Sequence, residues 1–301
     1  MSTVALPRWQ IWFRALRPWS FTASFIPVTL GTILAWQQGV FNLSLYILTV
    51  IGGILLHAGT NMVNTHYDFL NGVDTVDSAL NDPTLVLGWM KPREVIRIGY
   101  VAFVLAALIG FYLTALRGWP LLILGLVGLF GGYSYTAGPA YKYHALGIPL
   151  VFLLMGPLMV LGAYVVQLGS FQLMPVLISL PVGFLVSGIL HGNDLRDAEH
   201  DKHASIKTLS HLLDSNAGNF YIFLILGTYI SLILIVMAGL LPWLALLPLI
   251  TFPEGYKLIK MVKGAMAGNH DLLKPVEPLT ARLHLTFGML YIVGLFIAGV
   301  L

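Results

Sequence analysis

Nine apolar stretches limit what this chain can become. They lie at roughly residues 19–37, 44–63, 95–116, 119–136, 146–167, 172–192, 219–240, 242–261 and 282–300. Each approaches the length of about 20 residues at which a helix crosses the hydrocarbon core of a bilayer. Lipid offers no hydrogen bonds, so a segment crossing it must pair its own backbone groups, and a helix does so internally. The expected fold is all-α, a polytopic membrane protein with about nine transmembrane helices, residues 1–301 forming a single domain. Only 10% of the residues are charged and 57% are hydrophobic, whereas soluble domains carry about 25% charged residues. The chain has no cysteine, which excludes a disulfide framework and thiolate catalysis.

The opening residues, MSTVALPRWQIWFRALRPWSF, lack the short apolar core and small-residue cleavage site of a signal peptide. With Trp9, Trp12, Phe13, Arg14 and Arg17 they read as an amphipathic segment at the membrane surface. Lys and Arg gather on the cytoplasmic side of membrane proteins. A cytoplasmic N-terminus puts 15 of the 16 Lys and Arg on one side, Arg117 being the exception, together with all 13 acidic residues. The loops on the other side, QQGVFNL, QLGSFQL and AGLLPW, are uncharged. The expected location is the plasma membrane, with the N-terminus and the polar loops cytoplasmic. The net charge of +3 follows from this topology and does not call for a nucleic-acid partner.

Two apolar stretches end in acids rather than lysines. The second runs into NMVNTHYDFLNGVDT (61–75) and the sixth into HGNDLRDAEHDKH (191–203). Both contain Asn-x-x-x-Asp: Asn64 with Asp68, and Asn193 with Asp197, followed by Asp201. Residues four apart share a helix face. Gly72 permits a bend that returns Asp74 toward Asp68. The repeat, four stretches apart, suggests a duplicated four-helix unit with a ninth helix added. A single Asp at a helix end is commonly a cap or a solvated charge; two matched clusters are not accounted for that way. Carboxylates this close repel unless a cation lies between them, and carboxylate and amide oxygens suit Mg²⁺, which takes one or two carboxylates together with a substrate phosphate. Lys142, Arg196, Lys202 and Lys207 stand near enough in sequence to hold phosphate oxygens as a leaving group departs, although each alone reads equally well as a surface anchor. Histidines 57, 66, 191, 200 and 203 show no zinc spacing, and no phosphate-binding glycine loop or nucleophile elbow is present.

These residues resemble the paired aspartate motifs of the UbiA superfamily of intramembrane prenyltransferases. RPWSFTASFIPVTLG (17–31) is similar to its first-helix signature, and NTHYDFLNGVDT (64–75) with NDPTLV (81–86) to its first acidic motif and continuation. YTAGPAYKYHALG (135–147), NDLRDAEHDKHASIKTL (193–209) and TARLHLTFGMLY (280–291) resemble later signatures. The six-residue step from Asp68 to Asp74 is similar to the 1,4-dihydroxy-2-naphthoate polyprenyltransferases of menaquinone biosynthesis and their animal relatives. Thr65 departs from the pattern, where many members carry Asp.

The resemblance implies a helical bundle around a central cavity that passes a polyprenyl chain from its diphosphate to an aromatic acceptor among membrane lipids. It implies Mg²⁺ on Asp68, Asp74, Asp197 and Asp201, catalytic roles for Asp68, Asp197 and Lys142, and diphosphate contacts from Asn64, Asn193, Arg196, Lys207 and Tyr135. Tyr67, Tyr135 and Tyr141 are further candidates for the cavity wall. Other acceptors (4-hydroxybenzoate, homogentisate, haem, a glycerol-phosphate lipid) fit the same chemistry. A secondary transporter also carries intramembrane acids and repeats, but its sites lie near the bilayer midplane, not at the helix ends.

Overall fold

A computed structural model describes residues 6–75, 82–203 and 206–301, with the backbone alone for residues 199–203. Among the described residues the secondary structure is helical, with one isolated bridge and no strand. A short helix, α1 (Arg8–Leu16), leads into α2 (Thr22–Trp36), α3 (Leu43–Leu70), α4 (Pro92–Arg117) and α5 (Trp119–Tyr133). The chain continues through α6 (Gly147–Leu153), α7 (Met159–Leu168), α8 (Met174–Ile178), α9 (Leu180–His203) and α10 (Leu209–Leu213). It ends in α11 (Ala217–Met237), α12 (Phe252–Met266) and α13 (Val276–Val300).

Six helical stretches are long and apolar enough to cross a membrane: Arg8–Trp36, Leu43–Leu70, Pro92–Arg117, Gly147–Leu168, Leu209–Met237 and His270–Val300. The protein is an integral membrane protein. By this measure the expected count of nine is not reached, for local reasons. Helix α5 is apolar but short. The stretch at 172–192 is divided between α8 and α9 at Ser179, whose hydroxyl donates to the Val176 carbonyl at 2.7 Å. The stretch at 242–261 starts as a 3₁₀ segment, Trp243–Thr251, containing Pro248. Between α6 and α7 the coil widens to a π turn, Leu154–Leu158, at Pro157, which has no N–H to continue the ladder.

Helix α3 packs along α4, α2 along α7, and α9 against both α11 and α13. The last group buries the largest core, including Tyr221, Tyr229 and Tyr291. Each of these phenols is partnered: Tyr221 with the Thr280 hydroxyl at 2.5 Å, Tyr229 with Thr251 at 3.0 Å, and Tyr291 with the Ile178 carbonyl at 3.2 Å. Large apolar side chains such as Leu108, Phe111, Ile230 and Phe296 point outward, as a lipid-facing surface requires. Arg117, the exception to the charge asymmetry, donates to the carbonyls of Val166 and Gln167 at 2.6 and 3.2 Å. It thereby satisfies acceptors left open at the end of α7.

Close helix contact depends on missing side chains. A β-carbon at Gly31 of α2 would lie 2.1 Å from the Val160 carbonyl oxygen of α7. Small residues allow such approach between membrane helices. Gly31→Ala is expected to force the helices apart at a cost of about 1–3 kcal/mol, read as a lowered melting temperature of the detergent-solubilised protein. An unchanged melting temperature would mean that α2 and α7 do not meet at this point.

Candidate functional site

The end of α3 builds half of the site. Gly72, at φ +70°, closes the helix: the Val73 amide donates to the Asp68 carbonyl at 2.8 Å and the Gly72 amide to Phe69 at 3.2 Å. This paired-bond arrangement is a helix C-terminal cap that needs a left-handed residue. It returns the chain so that the Asp74 amide also reaches the Asp68 carbonyl, at 3.2 Å. Asp68 and Asp74 line one cavity, as the bend at Gly72 leads one to expect.

The Asp68 carboxylate is buried and accepts three bonds: from Asn64 Nδ2 at 2.7 Å, Lys142 Nζ at 2.6 Å and the Tyr143 hydroxyl at 2.7 Å. Lys142 and Tyr143 come from the loop after α5. That loop is fixed by the Lys142 amide on the Tyr135 carbonyl at 2.9 Å and turns through Ala140 at φ 49° and Ala145 at φ 59°. Burial alone would lower the Lys142 pKa, but the Asp68 charge outweighs it and holds the ammonium above its ordinary value. Burial, and then the charge of Asp68, keeps the Tyr143 phenol protonated. Burial, with a second contribution from Asp68, pushes the Asp74 carboxyl up to about 6.

The second cluster sits on α9. Arg196 is central to it: Nε and Nη2 grip both oxygens of Asp197 at 2.8 and 2.7 Å, Nη2 also reaches Asn193 Oδ1 at 2.6 Å, and Nη1 pairs with Glu277 of α13. Arg196 therefore acts chiefly as a clamp on its own cluster. Lys142, with three N–H donors, retains capacity for a phosphate. Asn64, Asp68, Asp74, Tyr135 and Lys142 line the same cavity as Asn193, Asp194, Arg196 and Asp197. Lys207 does not share it: its side chain is exposed, while its amide meets the Tyr143 carbonyl at 3.4 Å and so ties the loop after α9 to the loop after α5. The side chain of Asp201 lies outside the described residues, as do those of Lys202, His200 and His203. His66 rests on the Pro92 carbonyl at 3.0 Å. Tyr67 packs with Val63 and Phe103 rather than lining the cavity.

Four participants escaped the sequence reading. Tyr143 is one aromatic among several in its loop, and Glu277 looks like an ordinary acid in a first helical turn. The other two, Asp82 and Arg17, explain Thr65. The Thr65 hydroxyl donates to Asp82 Oδ2 at 2.8 Å and accepts from Arg17 Nη2 at 2.9 Å. Asp82 is buried and lines the cavity. The carboxylate absent at position 65 is thus present beside it, supplied from a position seventeen residues onward.

The cavity has a volume of about 450 Å³. It reaches from Asp68 to Thr49 along α3, a separation of about 28 Å at the helical rise. Its mouth is polar and charged, and its inner walls on α4, α5 and α7 are apolar and rich in small residues. Among the described residues, no three His, Asp or Glu side chains converge into a ligand set of their own. Two hard-oxygen clusters at a shared mouth suit a Mg²⁺ that also takes phosphate oxygens. Asp68, Asp74 and Asp197, with the amides of Asn64 and Asn193, are the groups available to hold it.

The UbiA prenyltransferase family model matches residues 24–263. The chain belongs to that family. Among its relatives, UbiA prenyltransferase domain-containing protein 1 of Mus musculus is 34% identical over 298 residues, covering 94% of this chain and 83% of the relative. The homologue from Drosophila melanogaster is 33% identical, covering 93% and 77%. Solved UbiA homologues share the fold. One from Aeropyrum pernix K1 has a TM-score of 0.66 at 18% identity, covering 92% of this chain and 98% of that one. Another, from Archaeoglobus fulgidus, is bound to GPP and Mg²⁺; its TM-score is 0.58 at 17% identity, covering 94% and 99%.

Two outcomes are expected of this UbiA family member. Replacing Gly72 by Ala meets no neighbouring atom within 4 Å, so its cost is that of the left-handed backbone, about 1 kcal/mol; Mg²⁺-dependent diphosphate binding should weaken as Asp74 swings away. An Asp74 carboxyl near 6 is protonated below that pH and cannot bind a cation. The apparent Kd for Mg²⁺ should accordingly rise by about tenfold per pH unit below 6. Asp74→Asn should flatten that dependence, as calorimetric titration at several pH values can check.

Proposed function

We propose that this protein transfers a polyprenyl chain from its diphosphate to 1,4-dihydroxy-2-naphthoate, with loss of the carboxylate, in menaquinone biosynthesis. The observation that carries the reading is the pair of carboxylate–amide clusters, Asn64/Asp68 and Asn193/Asp197, on two helices at the mouth of one apolar cavity. Support for a prenyl diphosphate as donor comes from the GPP and Mg²⁺ bound by the Archaeoglobus fulgidus homologue. The naphthoate acceptor is supported by the six-residue step from Asp68 to Asp74.

Mg²⁺, bound by Asp68, Asp74 and Asp197, would neutralise the charge that develops on the departing diphosphate. Asp201 would complete the set. Lys142 holds a permanent positive charge at the same place, and the protonated Tyr135 hydroxyl offers a further donor to phosphate oxygens. Asn64 and Arg196 orient the two aspartates. As the bond from the prenyl carbon to the diphosphate oxygen breaks, the electron-rich ring carbon attacks that carbon. Carbon dioxide then leaves from the attacked position, and the electron pair of its bond restores the aromatic ring. The apolar walls keep water from the allylic cation.

The same reading makes the chain a single domain of nine membrane crossings, with α5, the α8–α9 segment and the segment 243–266 supplying the three beyond the six long stretches. The Lys and Arg distribution supports a plasma-membrane protein with the mouth in the cytoplasm.

Purified protein given geranylgeranyl diphosphate with either 1,4-dihydroxy-2-naphthoate or 4-hydroxybenzoate is expected to form a decarboxylated prenyl-naphthoquinol with Mg²⁺ and none with EDTA. Asp68→Asn and Asp197→Asn should each lower the rate by at least about a hundredfold. Product from the benzoate alone would reassign the acceptor. Bound diphosphate without any aromatic product would reject aromatic prenyl transfer.

A further inference from the structure

The outer face of α12 carries charges that the site at the mouth does not use. Gly255, Leu258, Ile259, Val262 and Ala265 turn one face of this helix into the bundle. Lys257, Lys260 and Lys263 are exposed on the other, over about 9 Å of helix axis. Arg282 of α13 joins them: it is exposed and stands 4.0 Å from Glu254, the single acid in the sequence of α12. Four cations thus share a surface with one carboxylate. Lys274, on the connection between the two helices, is already paired with Asp271 at 2.6 Å. None of these residues lines the cavity.

The charges gather at one end. Helices α12 and α13 are joined at the end of the bundle that holds the acidic mouth, where Glu277 meets Arg196. Away from that end the same outer surface becomes apolar. On α13, Arg282 is followed by Leu285, Met289, Val293 and Phe296, all exposed and at helical spacing. They carry the surface about 21 Å along the axis from Arg282, more than the roughly 15 Å of hydrocarbon in one leaflet. On α12, Lys260 lies over the Tyr256 ring at 4.6 Å, Tyr256 stacks on Phe252 at 6.3 Å, and Ile250 is exposed beyond them. The two helices therefore present a surface that is cationic toward the membrane boundary and apolar below it.

We infer that this α12–α13 face is a binding site for an anionic phospholipid. Lys257, Lys260, Lys263 and Arg282 take the headgroup phosphate, and an acyl chain lies along Leu285, Met289, Val293 and Phe296. A single basic residue near a helix end is an ordinary anchor that any headgroup satisfies. Four cations from two helices, one of them held on an aromatic face, select by charge. A zwitterionic headgroup brings its own ammonium against them, whereas an anionic headgroup complements them. A soluble acidic partner would match the cations but leave the apolar half of the surface unexplained. The site is separate from the cavity, so the inference does not depend on the reaction proposed above.

The test uses full-length protein in phosphatidylcholine bilayers, with spin-labelled phosphatidylglycerol or spin-labelled phosphatidylcholine as a trace probe. The immobilised fraction in the electron paramagnetic resonance spectrum measures association with the protein surface. Wild-type protein should prefer the phosphatidylglycerol by at least about threefold at low salt. Lys257→Gln with Lys260→Gln should cut that preference at least about in half. Arg93→Gln with Arg97→Gln removes the same charge from exposed positions on α4 and should leave the preference unchanged. A melting curve for each variant controls for misfolding. Absence of a preference in wild-type protein would overturn the inference, and so would equal losses in the two double variants. Displacement of the labelled phosphatidylglycerol by excess geranylgeranyl diphosphate would also overturn it, making the face a landing place for the donor.

Discussion

Carboxylates held at the mouth of a membrane protein must be neutralised where they stand, and the architecture around this site follows from that requirement. Asp68 would be costly to bury without compensation; Lys142, Tyr143 and Asn64 together surround it. Asp197 is gripped by Arg196, which Glu277 holds from another helix, and Asp82 shares Arg17 with Thr65. These partners come from α3, α9, α13, the segment before α2 and the loop after α5. The acids thus organise five separate parts of the chain. At Asp74, burial and then the neighbouring Asp68 charge push the carboxyl up.

The fold was legible because a bilayer allows few solutions. Apolar length predicted helices, and the charge-poor loops marked their ends. What the pattern missed lies where length and hydropathy stop being informative: at Ser179, Pro157 and Pro248, single residues divert a helix without changing its average composition. The site was legible where it is periodic. Asn-x-x-x-Asp on a helix puts two oxygens on one face, and a glycine after the helix end announces a turn. It was illegible where partners meet across loops. Nothing near Tyr143 distinguishes it from Tyr141, yet one donates to Asp68 and the other does not line the cavity. Nothing near Thr65 reveals that Asp82 fills its place. Arg196 shows a related limit: its neighbours in sequence suggested a phosphate ligand, whereas four of its N–H groups are committed to the protein.

The interior separates polarity by helix. Polar groups descend on α2 and α3, while glycine and branched apolar residues occupy α4, α5 and α7. The close contact of α2 and α7 at Gly31 holds the two sides at a fixed spacing, so the width of the cavity depends on a residue with no side chain to contribute.

The loops over the mouth are joined to each other as well as to the site. Lys207 meets the Tyr143 carbonyl, and the Tyr143 hydroxyl meets Asp68. Lifting the phenol from the carboxylate therefore also pulls on the segment after α9. The carboxylate of α3 and the backbone that follows α9 thus share one residue, Tyr143, which contacts the first through its hydroxyl and the second through its carbonyl.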